Sequence, residues 1–481
     1  MRFTKTGTRK RTRLALAALC VSVGLLALTA TPRRAAAQPE GGQRIYEEQL
    51  RVQLDRQIAQ AQEIGVDGGG WFSFAFFHFD DAAERVEKVL RQYQLRGWGS
   101  VNVHGVHKAY VRALLGYDDW NSGQNPDEPH GDQFTGFEVE RAWYEFDLGA
   151  MLRNQTGKQP AVGLKARVGR QFAEIGTGLV LSMPLDAVRI TGFTQDWRFE
   201  GLLGKTITET RNIDDSAAVS DHQQRCIWGG QVTYTGFRRH RPFAYFLENS
   251  DHTRADPFSP TQSYDYSSRY VGAGSTGSLL LPNLRYRVET VGEFGETYSV
   301  GATDKQDDIC AMATDVLLEY YFQTAMKPRV NLEYLWASGD DDRATSATST
   351  VGGNRFGTKD HAFNAFGFRD TGLAFSPRVS NLHMYTVGGG LYPLETCGKL
   401  FENLEVGTKV FFFHKSSAGP ISDATATEAS RWLGWEWDVY CNWRLTSDLS
   451  WTVRYGAFMP GDAFEDDSCR QFLLTAVNLS F

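Results

Sequence analysis

The sequence predicts an all-β chain: a transmembrane antiparallel β-barrel of about 18 strands, with 16 as the alternative, preceded by a short N-terminal helix. Three observations carry this. Gly, Phe, Tyr and Trp number 48, 31, 19 and 12 of 481 residues, yet the mean hydropathy is −0.37. Beyond the N-terminus no apolar run approaches the ~20 residues that a membrane-crossing helix requires. Several segments instead alternate apolar and polar residues, as a strand does when one face meets lipid and the other water.

Taken in order, Arg2, Lys5, Arg9, Lys10, Arg11 and Arg13 precede an apolar run over 14–30 and then Ala35-Ala36-Ala37. That sequence of features predicts a secretory signal peptide over 1–37. The run is short for a membrane anchor, and Cys20 lies within it rather than at a lipoprotein site. Residues 38–70 are expected to form a periplasmic N-terminal segment. In it Leu50, Leu54, Ile58, Ala61 and Ile64 fall near helical spacing over 45–64, before Gly68-Gly69-Gly70. The barrel is expected over 71–481.

The leader holds 8 of the 50 basic residues and none of the 57 acidic ones, so the remainder carries 42 against 57, a net −15. Such a balance argues against a nucleic-acid partner. Cys226, Cys310, Cys397, Cys441 and Cys469 remain, an odd number with no disulfide or zinc spacing. No cofactor and no metal is expected.

The alternation is readable in 433–444. Leu433, Trp435, Trp437, Val439, Cys441 and Trp443 alternate with Gly434, Glu436, Asp438, Tyr440, Asn442 and Arg444. Trp451, Val453, Tyr455 and Ala457 repeat the pattern, as do Val330, Leu332, Tyr334 and Trp336. Short connections at 192–195, 236–241, 324–328 and 446–448 alternate with long polar ones at 117–133, 209–225, 249–262, 338–360 and 415–430. Short periplasmic turns and long outer loops are the plan of an outer-membrane barrel. Acidic residues crowd the long loops: Asp118, Asp119, Asp127, Glu128, Asp214, Asp215, Asp340, Asp341 and Asp342. The chain ends Val477-Asn478-Leu479-Ser480-Phe481. A final amphipathic strand closed by Phe resembles the signal read by the barrel-assembly machinery.

Short motifs then bring in a family. Val168-Gly169-Arg170-Gln171 with Gly176 and Leu185-Asp186-Ala187-Val188-Arg189 resembles a conserved region of the alginate export porin family. So do Lys108–Arg112, Leu433–Asp438 and Gly456-Ala457-Phe458-Met459-Pro460-Gly461. The resemblance spans most of 88–481. Ala187 stands where the family has Gly, and Trp435 where a small polar residue is usual. It implies an 18-stranded barrel with an arginine-rich lumen passing an anionic polysaccharide or related anions.

Strand parity gives the expected lumen wall. Its basic residues are Lys108, Arg112, Arg141, Lys165, Arg167, Arg189, Arg198, Arg329, Lys409, Arg444 and Arg454. Its acids are Glu145, Asp147, Glu200, Glu319, Glu333, Glu405, Glu436 and Asp438. Rings of Arg and Lys favour anions, whereas pairing across strands would make the same charges structural. Arg170 has lipid-side parity and is expected either at a bulge or at the interface. Glu436 and Asp438, roughly 7 Å apart by strand rise, match the spacing of an inverting glycosidase pair. Pore lining is the expected role on a wet barrel face, and no hydrolase, P-loop or CxxC motif is present. Asp340-Asp341-Asp342 is expected to be solvated loop rather than a Ca²⁺ site.

Two functions follow. The first is an outer-membrane channel for anionic saccharides or small anionic solutes, in contact with outer-membrane lipid and lipopolysaccharide. The second is an adhesive or structural barrel with a closed lumen that binds through its long loops.

Overall fold

Residues that alternate along the sequence alternate across the wall of a computed structural model. It describes residues 64–481 except 82–85, 122–123, 125–131, 208–223, 253–264, 301–305, 344–345 and 348–353. The expected signal peptide over 1–37 and nearly all of the expected 45–64 helix lie outside the described residues, as do Asp127, Glu128, Asp214 and Asp215.

The elements are β1 (Ile64–Asp81), β2 (Val86–Val103), β3 (His107–Trp120), β4 (Asp132–Asp147), α1 (Leu148–Thr156), β5 (Gly163–Ile175) and β6 (Leu181–Phe193). Then come β7 (Trp197–Thr206), β8 (Arg225–Tyr234), β9 (His240–Asp251), β10 (Tyr266–Ser278), β11 (Leu284–Val300), β12 (Gln306–Tyr321) and β13 (Arg329–Ala337). β14 (Asn354–Arg355), β15 (Leu382–Leu391), β16 (Leu404–His414), β17 (Trp432–Arg444), β18 (Leu449–Pro460) and β19 (Arg470–Ser480) complete the chain. Consecutive strands pair antiparallel throughout, β13 pairs with β15, and β19 closes on β1. The wall is therefore 18 strands, the number expected. β14 stands outside it, a two-residue parallel bridge to the end of β11.

Closure satisfies the backbone groups that lipid would leave unpaired. Exposed Phe72, Leu95, Val168, Val188, Leu203, Val271, Phe294, Leu332, Val387, Phe412 and Trp437 form the outward face. Short turns gather at one end, which also holds Ile64 and Phe481; on the barrel plan this is the periplasmic end. There Phe481 and Gly70 exchange two backbone hydrogen bonds of 2.9 Å.

Several expectations need correction. β1 starts at Ile64, so Gly68-Gly69-Gly70 lies in a strand and ends no helix. A Cβ at Gly70 would come within 2.7 Å of the Phe481 ring, so the glycine makes room for the closing residue. The helix observed is α1, in the β4–β5 turn. Its N-cap Asp147 accepts from the Ala150 N–H at 2.8 Å, and Gly157 ends it at φ 68°. Parity also breaks in β17: Gly434 at φ 120° is a bulge that turns Leu433 inward, fully buried. Asp118 and Asp119 belong to β3 rather than to a loop.

The largest departure is the connection after β13. It runs over 338–381, well past 360, and its stretch 360–381 folds into the barrel. Phe363, Phe366, Leu373 and Phe375 are buried there against wall residues such as Leu335, Phe411 and Phe458. The tight β5–β6 tip joins them with Leu179 and Val180. Inward tyrosines elsewhere lie flat over strand glycines. A Cβ at Gly272 would meet the Tyr245 ring at 2.1 Å, and one at Gly407 the Tyr440 ring at 2.2 Å.

Candidate functional site

The eleven basic residues expected on the lumen wall lie on the inward face of their strands, but they do not form one surface. Lys108, Lys165, Arg167, Arg189 and Arg198 converge on a cavity of about 1210 Å³ at the periplasmic mouth, bounded by α1. Register explains the convergence: Arg167 faces Arg189 across β5–β6, and Lys108 faces Glu145 across β3–β4. Arg112 and Arg141 face each other higher on the wall, both buried, at a bulge that brings in Glu140. Arg112 contacts Glu140 at 2.8 Å, and Arg96 does so at 3.0 Å. Arg112 and Arg141 are thus a group separate from the five bases at the mouth. On the far wall Arg329 bonds Glu405, Lys409 bonds Asp370, and Arg454 is buried. Arg444 sits exposed at the rim, donating to the Ser447 carbonyl at 3.2 Å.

Most of these bases are paired, and four sets of pairs are polarised, whereas Arg96 and Arg112 are more buried than the Glu140 they share and Lys409 and Asp370 are about equally exposed. Arg167 and Glu145 meet at 2.6 Å, with side chains 30% and 10% exposed. Arg189 and Arg198 share Glu200 at 2.5 and 2.7 Å, and Arg198 is 48% exposed against 9% for the carboxylate. Arg329 and Glu405 stand at 43% and 13%. Arg287 and Asp315, 3.0 Å apart, stand at 27% and 0%. In these four sets each carboxylate lies toward the wall and each guanidinium toward the water. Arg167 also covers the Trp143 ring at 4.0 Å, a stacked geometry that Lys does not reproduce. A guanidinium carries five N–H donors, so one carboxylate leaves donors for a passing anion.

The outer half uses its charges differently. Glu436 accepts the backbone N–H groups of Leu373, Ala374 and Phe375 at 2.5, 2.7 and 2.8 Å. Glu293 accepts the Asn364 N–H at 2.9 Å. Arg369, from the loop, donates to Asp315 at 2.7 Å and to Thr177 of the β5–β6 tip. Wall carboxylates therefore pin the inserted loop. Glu436 and Asp438 are both buried beneath it, which removes the expectation that they line wet pore. Both carboxyls lie under the packed loop, and Glu436 is taken up by three backbone N–H groups rather than facing a substrate.

Arg170 faces outward. It bonds Asp186 through Nε and Nη2 at 2.9 and 3.1 Å and donates to the Val139 carbonyl at 2.9 Å. The ion pair neutralises the charge on the lipid side, so no bulge inverts it. Asp340, Asp341 and Asp342 are occupied within the loops: Asp340 accepts from His361 N, Asp341 from Gly419 N, and Asp342 contacts Arg355. Among the described residues no three His, Cys, Asp or Glu side chains converge as a metal site. The five cysteines are free thiols.

Parity reasoning missed Arg96, Glu140, Arg287, Glu289, Glu293 and Asp315. The signal for the β11 set was present, because Arg285, Arg287, Glu289 and Glu293 alternate with Tyr286, Val288, Thr290 and Phe294. Arg369 had none, since a loop carries no parity.

Residues 138–472 match the family described as alginate export. No curated protein matches the sequence. Among solved structures, OccAB3 of Acinetobacter baumannii superposes with a TM-score of 0.54 at 12% identity, covering 86% of this chain and 99% of that one. OccK5 (OpdH) of Pseudomonas aeruginosa gives 0.53 at 10%, covering 86% and 98%. The outer membrane protein opdK of the same species gives 0.52 at 11%, covering 87% and 99%. At these identities the likeness shows the fold.

Proposed function

The chain belongs to the alginate export family of bacterial outer-membrane β-barrels, and from that premise we propose that it is a channel for anionic saccharides or other small anionic solutes. The observation that carries this is the polarity of the ion pairs of Arg167, Arg189, Arg198, Arg287 and Arg329. Pairing alone would make the charges structural, but pairs with their carboxylates set back present a cationic surface to the water. Field lines concentrate in a confined bore with low-dielectric walls. Asp340, Asp341 and Asp342 of the outer loops are taken up by loop N–H groups and by Arg355, and charge beyond the bore is screened over ~8 Å at physiological salt. Lys108, Lys165, Arg167, Arg189 and Arg198 would meet a solute at the periplasmic mouth, Arg287, Arg329 and Lys409 on the facing wall. Phe481, at the end of the closing strand, is the residue we assign to recognition by the barrel-assembly machinery. No catalytic role is assigned to any residue.

The test is current through the purified full-length protein in a planar bilayer, under a potassium chloride gradient. A reversal potential set by chloride supports the reading; one set by potassium overturns it. The packed stretch 360–381 favours a second reading, a barrel closed at its outer half that works through its outer loops. Absence of any current, with the barrel folded, would select it.

A further inference from the structure

The periplasmic rim carries a feature the channel does not use. At the corner formed by the β8–β9 turn (235–239) and the β10–β11 turn (279–283), large apolar side chains stand in the open. Phe237, Leu280 and Leu281 are 56%, 88% and 53% exposed. Turn tips facing plain water favour polar residues. These tips are also held in place. Arg239 Nη1 donates to the Leu280 carbonyl at 2.8 Å, and the Ser278 N–H to the Arg239 carbonyl at 2.9 Å.

The corner continues the lipid-facing surface. Phe199 and Trp197, both exposed, stack at 6.4 Å; Trp197 meets Tyr234 edge-on at 4.8 Å, and Tyr234 meets Phe237 edge-on at 4.8 Å. An aromatic row of this kind marks the height of the lipid headgroups. Phe237 ends the row, and Arg238 and Arg239 follow it directly. Arg238 is exposed and makes no ion pair among the described residues. Apolar side chains beside arginines at headgroup depth suit an anionic lipid better than a protein, because Phe237 continues the aromatic row of the lipid-facing wall.

We propose that this corner binds an anionic phospholipid of the inner leaflet. Arg238 and Arg239 hold the headgroup phosphate, while Phe237, Leu280 and Leu281 lie in the glycerol and upper acyl region. The site is independent of the channel reading, since it needs only the barrel in its membrane.

Native mass spectrometry of the full-length protein, released from micelles holding equal phosphatidylglycerol and phosphatidylcholine, tests this. The protein should retain phosphatidylglycerol preferentially. Arg238→Gln/Arg239→Gln should lower that preference roughly fivefold or more, on the scale of one basic residue at a lipid surface. Arg238→Gln alone, which keeps the Arg239–Leu280 bond, should show part of the loss. Lys158→Gln/Lys399→Gln, which removes two exposed rim charges elsewhere, should leave the preference intact. Equal retention of both lipids by the unmodified protein overturns the site. So does a preference that survives Arg238→Gln/Arg239→Gln, or one lost equally in the lysine variant, which would mean diffuse charge attraction.

Discussion

The inner and outer halves of this lumen share one wall and one set of residue types, and they put them to opposite uses. In the inner half, carboxylates such as Glu145 and Glu200 sit behind arginines and leave the arginines facing water. In the outer half, carboxylates such as Glu436 and Glu293 face inward with no arginine in front, and take backbone N–H groups from the loop. In the pairs of the inner half the carboxylate holds an arginine that stays partly exposed to water. A carboxylate that accepts three consecutive backbone N–H groups fixes a segment of chain. The difference teaches that inward parity alone says little about a charged residue; the group it bonds decides between pore lining and anchorage.

The largest expected effect breaks the outer arrangement. Glu436→Ala removes one acceptor from three buried N–H groups, each costing ~1–3 kcal/mol when left unsatisfied. Loss of about 3 kcal/mol or more in urea unfolding should accompany a rise in bilayer current as the loop loosens. An unchanged current together with unchanged stability would mean the loop is not held from the wall.

Next in size is a test of the two faces of β17. Trp437→Arg, on the lipid side, should cost ~2–4 kcal/mol if it lies near the bilayer midplane. Asn442→Arg, inward in the open inner half, should cost little. Asp438, the neighbour that parity alone would choose for this comparison, is unsuitable because it is buried under the loop. Equal costs in urea titrations would undo the assignment of faces.

The inner arrangement is sharpened by charge reversal. Arg167→Glu/Arg189→Glu should swing the reversal potential toward potassium. Glu145→Gln/Glu200→Gln should move it only slightly toward chloride, because the acids already stand back from the water. A larger shift from the glutamates than from the arginines would contradict the polarised pairs.

The smallest effect concerns the loops above. The Ser417 side chain, helped by the Gly419 and Ala418 N–H groups, holds the Asp341 carboxyl below its usual range. A depressed folded value means the contact is fully present above the ordinary carboxylate pKa of about 4. It should weaken as the pH falls below that. Limited proteolysis around 415–420 should therefore increase from pH 5 to pH 3, and Asp341→Asn should flatten that trend. Equal sensitivity at both pH values would remove Asp341 from the loop contact.

Much of the wall was legible in the sequence, because a strand with lipid on one side must alternate and no other element does so for ten or more residues. Strand number, the inward face and the placement of Lys108, Arg167 or Arg329 followed from that period. Pairing did not, since it depends on register: nothing in the sequence puts Glu200 between Arg189 and Arg198 until β6 and β7 are aligned. Leu433 was misplaced because the bulge at Gly434 resets the count. The inserted loop was illegible for a deeper reason. Phe363, Phe366, Leu373 and Phe375 sit among Gly, Asn, Ser and Pro with no period, and only the shape of the surrounding bore gives them something to fill.

The flattened tyrosines bear on how wide that bore is. A standing ring projects across the lumen, whereas one laid over a glycine occupies the depth of the wall itself. Tyr245 over Gly272 and Tyr440 over Gly407 are thus inlaid. At these two positions glycine works as recess rather than hinge. Filling the recess at Gly407 with a methyl group would force the Tyr440 ring upright and narrow the passage beside Arg329 and Glu405, while leaving every lumen charge in place.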